Sequence, residues 1–202
     1  MYSLFMHPQE PFRIISVTGA HSSVGKTSLC SILLKTLDNF GAIKFTKTDM
    51  FTSISDSPEI IMQKGKDTAI MSEAGAKKVV WIQSPYVGLE DALNIAALKM
   101  DGLTGMVVEG NSPADFINPH LIIFIIRPNG QIKESAQKVI ERADIIVINS
   151  NKKPDDLHSA ASEIVAGNKA EKEVFWIDLL NHKGEIDIFR ACVEKMLSKK
   201  LN

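Results

Sequence analysis

Short apolar runs alternate with segments of helical periodicity along the chain. Seven of these runs have the length and the β-branched or aromatic content of strands: 13–17, 42–45, 78–82, 105–108, 121–126, 144–148 and 174–177. The run at 121–126, LIIFII, is apolar at every position, which is typical of a parallel strand covered by helices on both faces. The pattern therefore predicts an α/β fold: a doubly wound, mostly parallel sheet of about seven strands with helices on both faces.

Five segments between these strands carry apolar residues at the spacing of a helix. They lie at 28–37, 89–100, 131–142, 155–165 and 185–197. The connection 46–76 is rich in Thr, Ser, Asp and Lys, and we expect it to be largely irregular and to lie over any ligand at the carboxyl ends of the strands. No repeat or linker interrupts the pattern, so we expect residues 1–202 to form a single domain.

The most distinctive segment joins the first strand to the first helix and reads VTGAHSSVGKTS at residues 17–28. Gly25 allows a tight turn, so that backbone N–H groups from about Ser22 onward can converge on phosphate oxygens at a helix N-terminus. Lys26 supplies a positive charge for the β- and γ-phosphates, and the Thr27 hydroxyl is placed to ligate Mg²⁺. The segment therefore predicts a binding site for a nucleoside triphosphate, the shared chemistry of GTP and ATP.

We expect the whole loop to contact the nucleotide. Its residues are Gly19, Ala20, His21, Ser22, Ser23, Val24, Gly25, Lys26, Thr27 and Ser28. In the usual pattern, G-x-x-x-x-G-K-S/T, the first position is a glycine, whereas this chain has Ala20 there and Gly19 one residue earlier. His21 could hydrogen-bond to phosphate or point to water.

Acidic residues after two other strands are candidates for metal binding and catalysis. Glu109 ends the run at 105–108 and is followed by glycine, a position from which a carboxylate can hold Mg²⁺ opposite Thr27. Asp49 follows the run at 42–45 and could supply a third ligand or orient an attacking group. Asp56 and Asp67 compete with it for that role. We therefore assign catalysis to Lys26, Glu109 and Asp49, and metal binding to Thr27, Glu109 and Asp49.

Two further groups could serve the rest of the nucleotide or another substrate. Lys44 and Lys47 could neutralise phosphate or a second anionic substrate, or simply face water. Asn149 follows the strand at 144–148 and is the natural contact for the base. The pair Asn151–Lys152 resembles the start of a guanine-reading N-K-x-D motif, but Pro154 stands where the aspartate belongs. The choice between ATP and GTP therefore stays open.

Composition excludes several classes of partner. The chain of 202 residues carries 23 Lys and Arg against 24 Asp and Glu, so no overall basic field favours nucleic acid. No apolar run approaches the roughly 20 residues that cross a bilayer, and residues 1–10 lack the features of a secretion signal. We expect no membrane contact, a cytoplasmic location, and free core thiols at Cys30 and Cys192.

Several short motifs together resemble the SIMIBI class of P-loop proteins, and within it the molybdopterin-guanine dinucleotide biosynthesis protein B family. They are GKTSL at 25–29, GAIK at 41–44, GKDT at 65–68 with AGA at 74–76, and VEG at 108–110. The resemblance covers about the first 150 residues. It implies a dimeric GTP-binding protein that uses Mg²⁺ and assists the attachment of a nucleotide to molybdopterin.

Two other readings compete with this one. The loop GAHSSVGKT at 19–27 is similar to that of dethiobiotin synthetase, which implies an ATP-dependent carboxylase and ring-closing enzyme that holds carbamate charge on lysines such as Lys44 and Lys47. The third reading is a nucleotide-state switch that controls partner binding. No arginine finger can be identified from the sequence, so we expect intrinsic hydrolysis to be slow.

Overall fold

The computed structural model describes residues 11–128, 131–162 and 172–199. Nine strands form one sheet: β1 (Arg13–Gly19), β2 (Phe40–Lys47), β3 (Ser53–Ser55), β4 (Val79–Ser84), β5 (Gly105–Glu109), β6 (Leu121–Ile126), β7 (Ile145–Asn149), β8 (Glu173–Asp178) and β9 (Lys183–Gly184). Seven helices accompany it: α1 (Lys26–Leu34), α2 (Pro58–Ile61), α3 (Asp67–Glu73), α4 (Leu89–Leu98), α5 (Glu134–Arg142), α6 (Leu157–Ser162) and α7 (Ile186–Lys199). Short 3-10 turns occur at Tyr86–Gly88 and Ser112–Asp115.

The strands follow the order β3-β4-β2-β5-β1-β6-β7-β8-β9. All pairs between β4 and β8 are parallel, while β3 and β9 pair antiparallel at the two edges. The predicted doubly wound, mostly parallel α/β fold is therefore confirmed. The sequence pattern missed β3 and β9 because runs of three and two residues are too short to show periodicity.

Helices cover both faces of the sheet. On one face α1, α3 and α7 contribute Leu29, Met71 and Phe189 to a core that includes Val17 and Ile123. On the other face, α5 packs Val139 against Phe124, and α4 packs Leu93 against Ile43. Alternate residues of β6 point into opposite cores, so the uninterrupted apolar run is explained by burial on both sides.

The connection 46–76 is more ordered than its polar composition predicts, and that expectation was wrong in part. It contains β3, α2 and α3, and Thr68 ties the last two together by donating a hydrogen bond to the Ile61 carbonyl at 2.8 Å. Met71 of α3 is fully buried against α1. The buried side of this segment depends on long-range contacts, which a count of polar residues cannot reveal.

The expectation for the helix before β8 can be compared with the structure only in part. The helix expected at 155–165 is observed as α6, and residues 163–165 lie outside the described residues. Over the described ranges, no helix has both the length and the apolarity needed to cross a bilayer.

Candidate functional site

The loop between β1 and α1 turns on a residue that must be glycine. Gly25 has a φ of +113°, a conformation that other residues rarely adopt. A Cβ at this position would lie 2.7 Å from Cδ1 of Leu179 and 2.8 Å from Nδ2 of Asn149. The backbone conformation and the close neighbours therefore both require glycine, and they fix the direction in which α1 leaves the loop.

Neighbouring elements hold the start of the loop in place. The side-chain amide of Asn111 accepts a hydrogen bond from the Gly19 N–H at 2.9 Å and donates one to the Gly19 carbonyl at 3.0 Å. The Ala20 N–H donates to the Ile125 carbonyl at 2.9 Å, and the Ala20 methyl is fully buried in the core beneath α5. A methyl group at the usual first-glycine position is thus part of the packing and does not obstruct the loop.

Lys26 lies across the mouth of its own loop. Its Nζ donates a hydrogen bond to the His21 carbonyl at 3.0 Å, which places the ammonium among the loop's backbone groups. Burial lowers the pKa of Lys26, and the nearby Glu109 carboxylate partly offsets that effect. The lysine is therefore a partly desolvated cation, which interacts strongly with an anion that enters the loop.

A chain of polar side chains links α1, β5, β2 and α3 beside the loop. The Thr27 hydroxyl donates a hydrogen bond to Oε2 of Glu109 at 2.9 Å, and the other carboxylate oxygen of Glu109 pairs with the Lys44 ammonium. Lys44 also pairs with Asp67 at 2.6 Å. Burial lowers the pKa of Lys44, but the carboxylates of Glu109 and Asp67 outweigh this effect and raise it overall.

The donor set at this point fits a magnesium ion held largely by other ligands. Thr27 and Glu109 offer two adjacent oxygens, and the Glu109 side chain is only 2% exposed. Within the described ranges, no group of three or more His, Cys, Asp and Glu side chains could hold a metal unaided. Mg²⁺ usually takes one or two protein oxygens and completes its shell with phosphates and water, so this arrangement suits it.

The structure separates the three candidate aspartates. Asp67 lines the cleft and reaches Glu109 through Lys44, whereas Asp56 pairs with Lys99 at 2.9 Å. Asp49 is exposed in the turn after β2 and does not line the cleft. The acidic group brought to the site from the 46–76 segment is thus Asp67, the first residue of α3, because Asp49 lies beyond the end of β2 and is exposed there.

Asn149 braces the loop from the end of β7. Its Nδ2 donates to the Val24 carbonyl at 2.8 Å, and its Oδ1 accepts a hydrogen bond from the Leu179 N–H at 3.2 Å. An amide nitrogen carries two hydrogens, so one donor remains for a ligand. Leu179, Leu180 and His182 line the cleft beside this amide and give that end a mixed apolar surface.

Of the residues predicted to contact the nucleotide, most line a cleft, and three lie beneath the cleft surface. His21, Ser22, Ser23, Gly25, Lys26, Thr27, Ser28, Glu109 and Asn149 line a cleft of about 1240 Å³. Gly19, Ala20 and Val24 lie beneath this lining, where Ala20 and Val24 are fully buried. The cleft occupies the carboxyl ends of β1, β2, β5, β6 and β7, where parallel sheets bind their ligands.

Three residues that sequence reasoning missed also belong to this region. Asn111 clamps Gly19, Arg127 donates to the Ser23 carbonyl at 3.0 Å, and Lys133 donates to Oγ of Ser22 at 3.1 Å. The available signal was position: Asn111 and Arg127 come within two residues of the ends of β5 and β6. Polar residues at such points face the ligand edge of a parallel sheet.

Taken together, the central β1, the loop ending in Gly-Lys-Thr, α1 and the acidic end of β5 define the fold of the P-loop nucleoside triphosphatases. Solved structures of proteins of that class resemble this chain. HypB from Helicobacter pylori, in complex with nickel, matches with a TM-score of 0.60 at 12% identity over 96% of this chain and 90% of that chain. A plasmid partition protein from Borrelia burgdorferi matches with a TM-score of 0.52 at 13% identity, over 94% and 99% of the two chains.

LpxK from Aquifex aeolicus, in complex with ATP, matches with a TM-score of 0.50 at 17% identity over 82% of this chain and 54% of that chain. Neither a protein-family model nor a curated protein sequence matches this chain. The structural similarity shows a shared fold, and at these low identities the substrate has to be argued from the site.

Proposed function

We propose that this protein binds a nucleoside triphosphate together with Mg²⁺ and slowly hydrolyses its terminal phosphate. The observation that carries the proposal is the 2.9 Å hydrogen bond between Thr27 and Glu109, directly beside the loop that Lys26 closes. A phosphate cradle, a mobile ammonium and a pair of metal-ligand oxygens are the three parts that triphosphate chemistry needs.

Each part has a separate task. The backbone N–H groups of the loop and the N-terminus of α1 bind phosphate oxygens, and Lys26 neutralises their charge. Thr27 and Glu109 hold the magnesium ion, which when bound polarises the phosphates and offsets charge that develops between them. Lys44 and Asp67 extend this polar chain and orient the Glu109 carboxylate.

Slow hydrolysis follows from the arrangement of the arginines. Among the described residues, Arg127 is the arginine that lines the cleft, and its guanidinium donates to the Ser23 carbonyl on the outer side of the loop. Glu109 and Lys44 stand on the opposite side, at β5 and β2. A cation for the transition state would then come from a partner, including a second copy in the homodimer that the sequence resemblance implies.

We expect the end of the cleft at Asn149 to accept a purine base without strong selection for guanine. The remaining donor of Asn149 suits N7, an acceptor that adenine and guanine share. A carboxylate that pairs with the N–H groups of guanine would give selectivity, but Asp178 at the end of β8 is buried, does not line the cleft and accepts two hydrogen bonds from Asn181. We therefore expect ATP and GTP to bind with similar affinity.

Calorimetry with both triphosphates in the presence of Mg²⁺ tests this function. Lys26→Ala removes a charge-assisted hydrogen bond, so we expect affinity to fall by about tenfold or more. Lys195→Ala, which changes an exposed lysine on α7 away from the cleft, is the control and should bind like the natural chain. Equal heats for Lys26→Ala and the natural chain would contradict the proposal.

The sequence resemblances suggest three more specific functions. Each can be distinguished by the second substrate or partner that it requires. Guanine preference with molybdopterin binding would support a part in molybdenum cofactor guanylylation. Turnover of ATP and bicarbonate with a diamine acid would support the dethiobiotin synthetase reading. Nucleotide-dependent binding of a protein partner without either activity would support a switch. Light scattering with and without nucleotide would test the homodimer.

A further inference from the structure

The cleft continues past the loop between β1 and α1, here called the triphosphate loop, onto the face of the sheet opposite α1. Helix α5 and the 3-10 turn at Ser112–Asp115 both pack on this face, since Val139 and Ala114 share a core with Phe124. Ser135 and Lys138 of α5 line the cleft, as do Ser112 and Asp115 of the turn. The loop amides, Lys26 and Thr27 suffice for a triphosphate, so this extension is left without an assigned ligand.

One side of α5 is directed toward the turn. Ser135, Lys138 and Arg142 are three and four residues apart and lie on the same side of the helix. Arg142 donates a hydrogen bond to the Ala114 carbonyl at 2.9 Å and lies 3.9 Å from Oδ1 of Asp115. Lys138 is one turn nearer the triphosphate loop on this side, which accounts for its place in the lining.

The α5 side of the extension is basic. Arg127, Lys133 and Lys138 line it, against the single carboxylate of Glu134. Arg127 and Lys133 are engaged with the loop at Ser23 and Ser22. For Lys138, no hydrogen bond or ion pair to another described residue is found. Its ammonium is therefore free to bind an anion that enters from solvent.

The other side of the extension carries a different chemistry. Tyr86 donates a hydrogen bond to Oδ2 of Asp115 at 3.2 Å, and its ring packs on Phe116 with the centroids 4.9 Å apart. Both Tyr86 and Asp115 line the cleft. The oxygens of a carboxylate and a phenol can accept hydrogen bonds from a hydroxyl or an amine. The two sides together therefore suit a molecule with an anionic group and a polar neutral or cationic group.

We propose that this extension, bounded by Lys138 and Ser135 of α5 and by Asp115 and Tyr86, binds a small second substrate with a phosphate or carboxylate group. The proposal rests on the proposed nucleotide function, since the second substrate lies beside the triphosphate. The anion contacts Lys138, with Lys133 and Arg127 adding to the local potential. The hydroxyl or amine of the same molecule is directed toward Asp115.

The test uses the ¹⁵N-labelled chain saturated with a non-hydrolysable triphosphate analogue and Mg²⁺, so that the loop is already filled. Inorganic phosphate and, separately, acetate are then titrated while amide shifts are followed. We expect saturable shifts at Ser135 and Lys138, and the anion that gives the tighter curve identifies the group. Lys138→Ala should weaken binding by about fivefold, the strength of an exposed ion pair, and Lys138→Glu should abolish it.

The control and the outcomes keep this proposal separate from the nucleotide function. Lys195→Ala should leave the titration unchanged, and Lys138→Ala should leave nucleotide affinity unchanged. Normal nucleotide binding with no saturable shift on α5, or equal losses for Lys138→Ala and Lys195→Ala, would overturn the second site alone. Absent nucleotide binding with phosphate shifts retained on α5 would instead overturn the nucleotide function and support an anion site there.

Discussion

The hydroxyl of Thr27 donates a 2.9 Å hydrogen bond to the carboxylate of Glu109, although 82 residues separate the two in the chain. The pairing of β1 with β5 creates this contact, because Val17 and Glu109 are register partners and the loop after β1 folds back over the end of β5. The carboxylate is buried and its second oxygen pairs with Lys44, so its position is fixed before any ligand arrives.

Glu109→Gln should lower the affinity of the nucleotide complex for magnesium by at least about 10–100-fold, the range for losing even a group that only supports a metal ligand. Binding without magnesium should change little, since the loop amides and Lys26 are untouched. Magnesium titrations of the nucleotide complex measure this. Glu194→Gln, an exposed acid on α7, is the matched control, and an equal magnesium response in both variants would argue against a metal site at Glu109.

Gly25→Ala should disrupt the loop more than the same change at another glycine of positive φ. The new methyl would meet Leu179 and Asn149, and the unfavourable φ costs a further ~1–2 kcal/mol. Gly102→Ala is the control, because Gly102 also has positive φ but has nothing within 4 Å of the added Cβ. Urea unfolding and nucleotide calorimetry should both show the larger loss for Gly25→Ala. Equal losses would indicate that the contacts are unimportant.

We expect the contribution of Lys44 to the free energy of unfolding to be lost at alkaline pH. Its pKa is raised above the ordinary value of 10.5 on folding, so the folded chain holds the proton more tightly than the unfolded chain. The stabilisation is therefore fully present below about pH 10.5 and is lost as the pH rises through the folded-state pKa. The difference in unfolding free energy between the natural chain and Lys44→Met should be constant from about pH 8 to about pH 10 and shrink above that point. A difference that is constant into strong alkali would contradict the pairing.

Asn149→Ala should loosen both the triphosphate loop and the turn that follows β8 at Leu179. The change leaves the Val24 carbonyl and the Leu179 N–H without their partner, and an unsatisfied buried group costs about 1–3 kcal/mol. We expect lower stability in urea and weaker binding of both ATP and GTP. Asn151→Ala, at an exposed position two residues on, should change neither. A selective loss of GTP binding would show that Asn149 reads guanine.

The strands and the turn at Gly25 could be predicted from sequence because their signals are local. Apolar runs such as 121–126 predict buried parallel strands. Gly25, Lys26 and Thr27 form a motif of three adjacent residues. Asn149 could be anticipated in the same way, since the end of a parallel strand faces the ligand edge. The edge strands β3 and β9 escaped because they are too short to have a period.

The sequence by itself determined most of the sheet, the loop and the residue types on which the proposed triphosphate binding rests, since each depends on spacing within a few residues. Only the tertiary structure decided which distant groups meet: Asp67 and not Asp49 reaches Lys44, and Asn111 clamps Gly19. Strand order and helix packing fix these contacts, and they involve partners tens of residues apart. A side chain's local neighbours carry no information about such partners, so the candidate site was complete only once the sheet had been assembled.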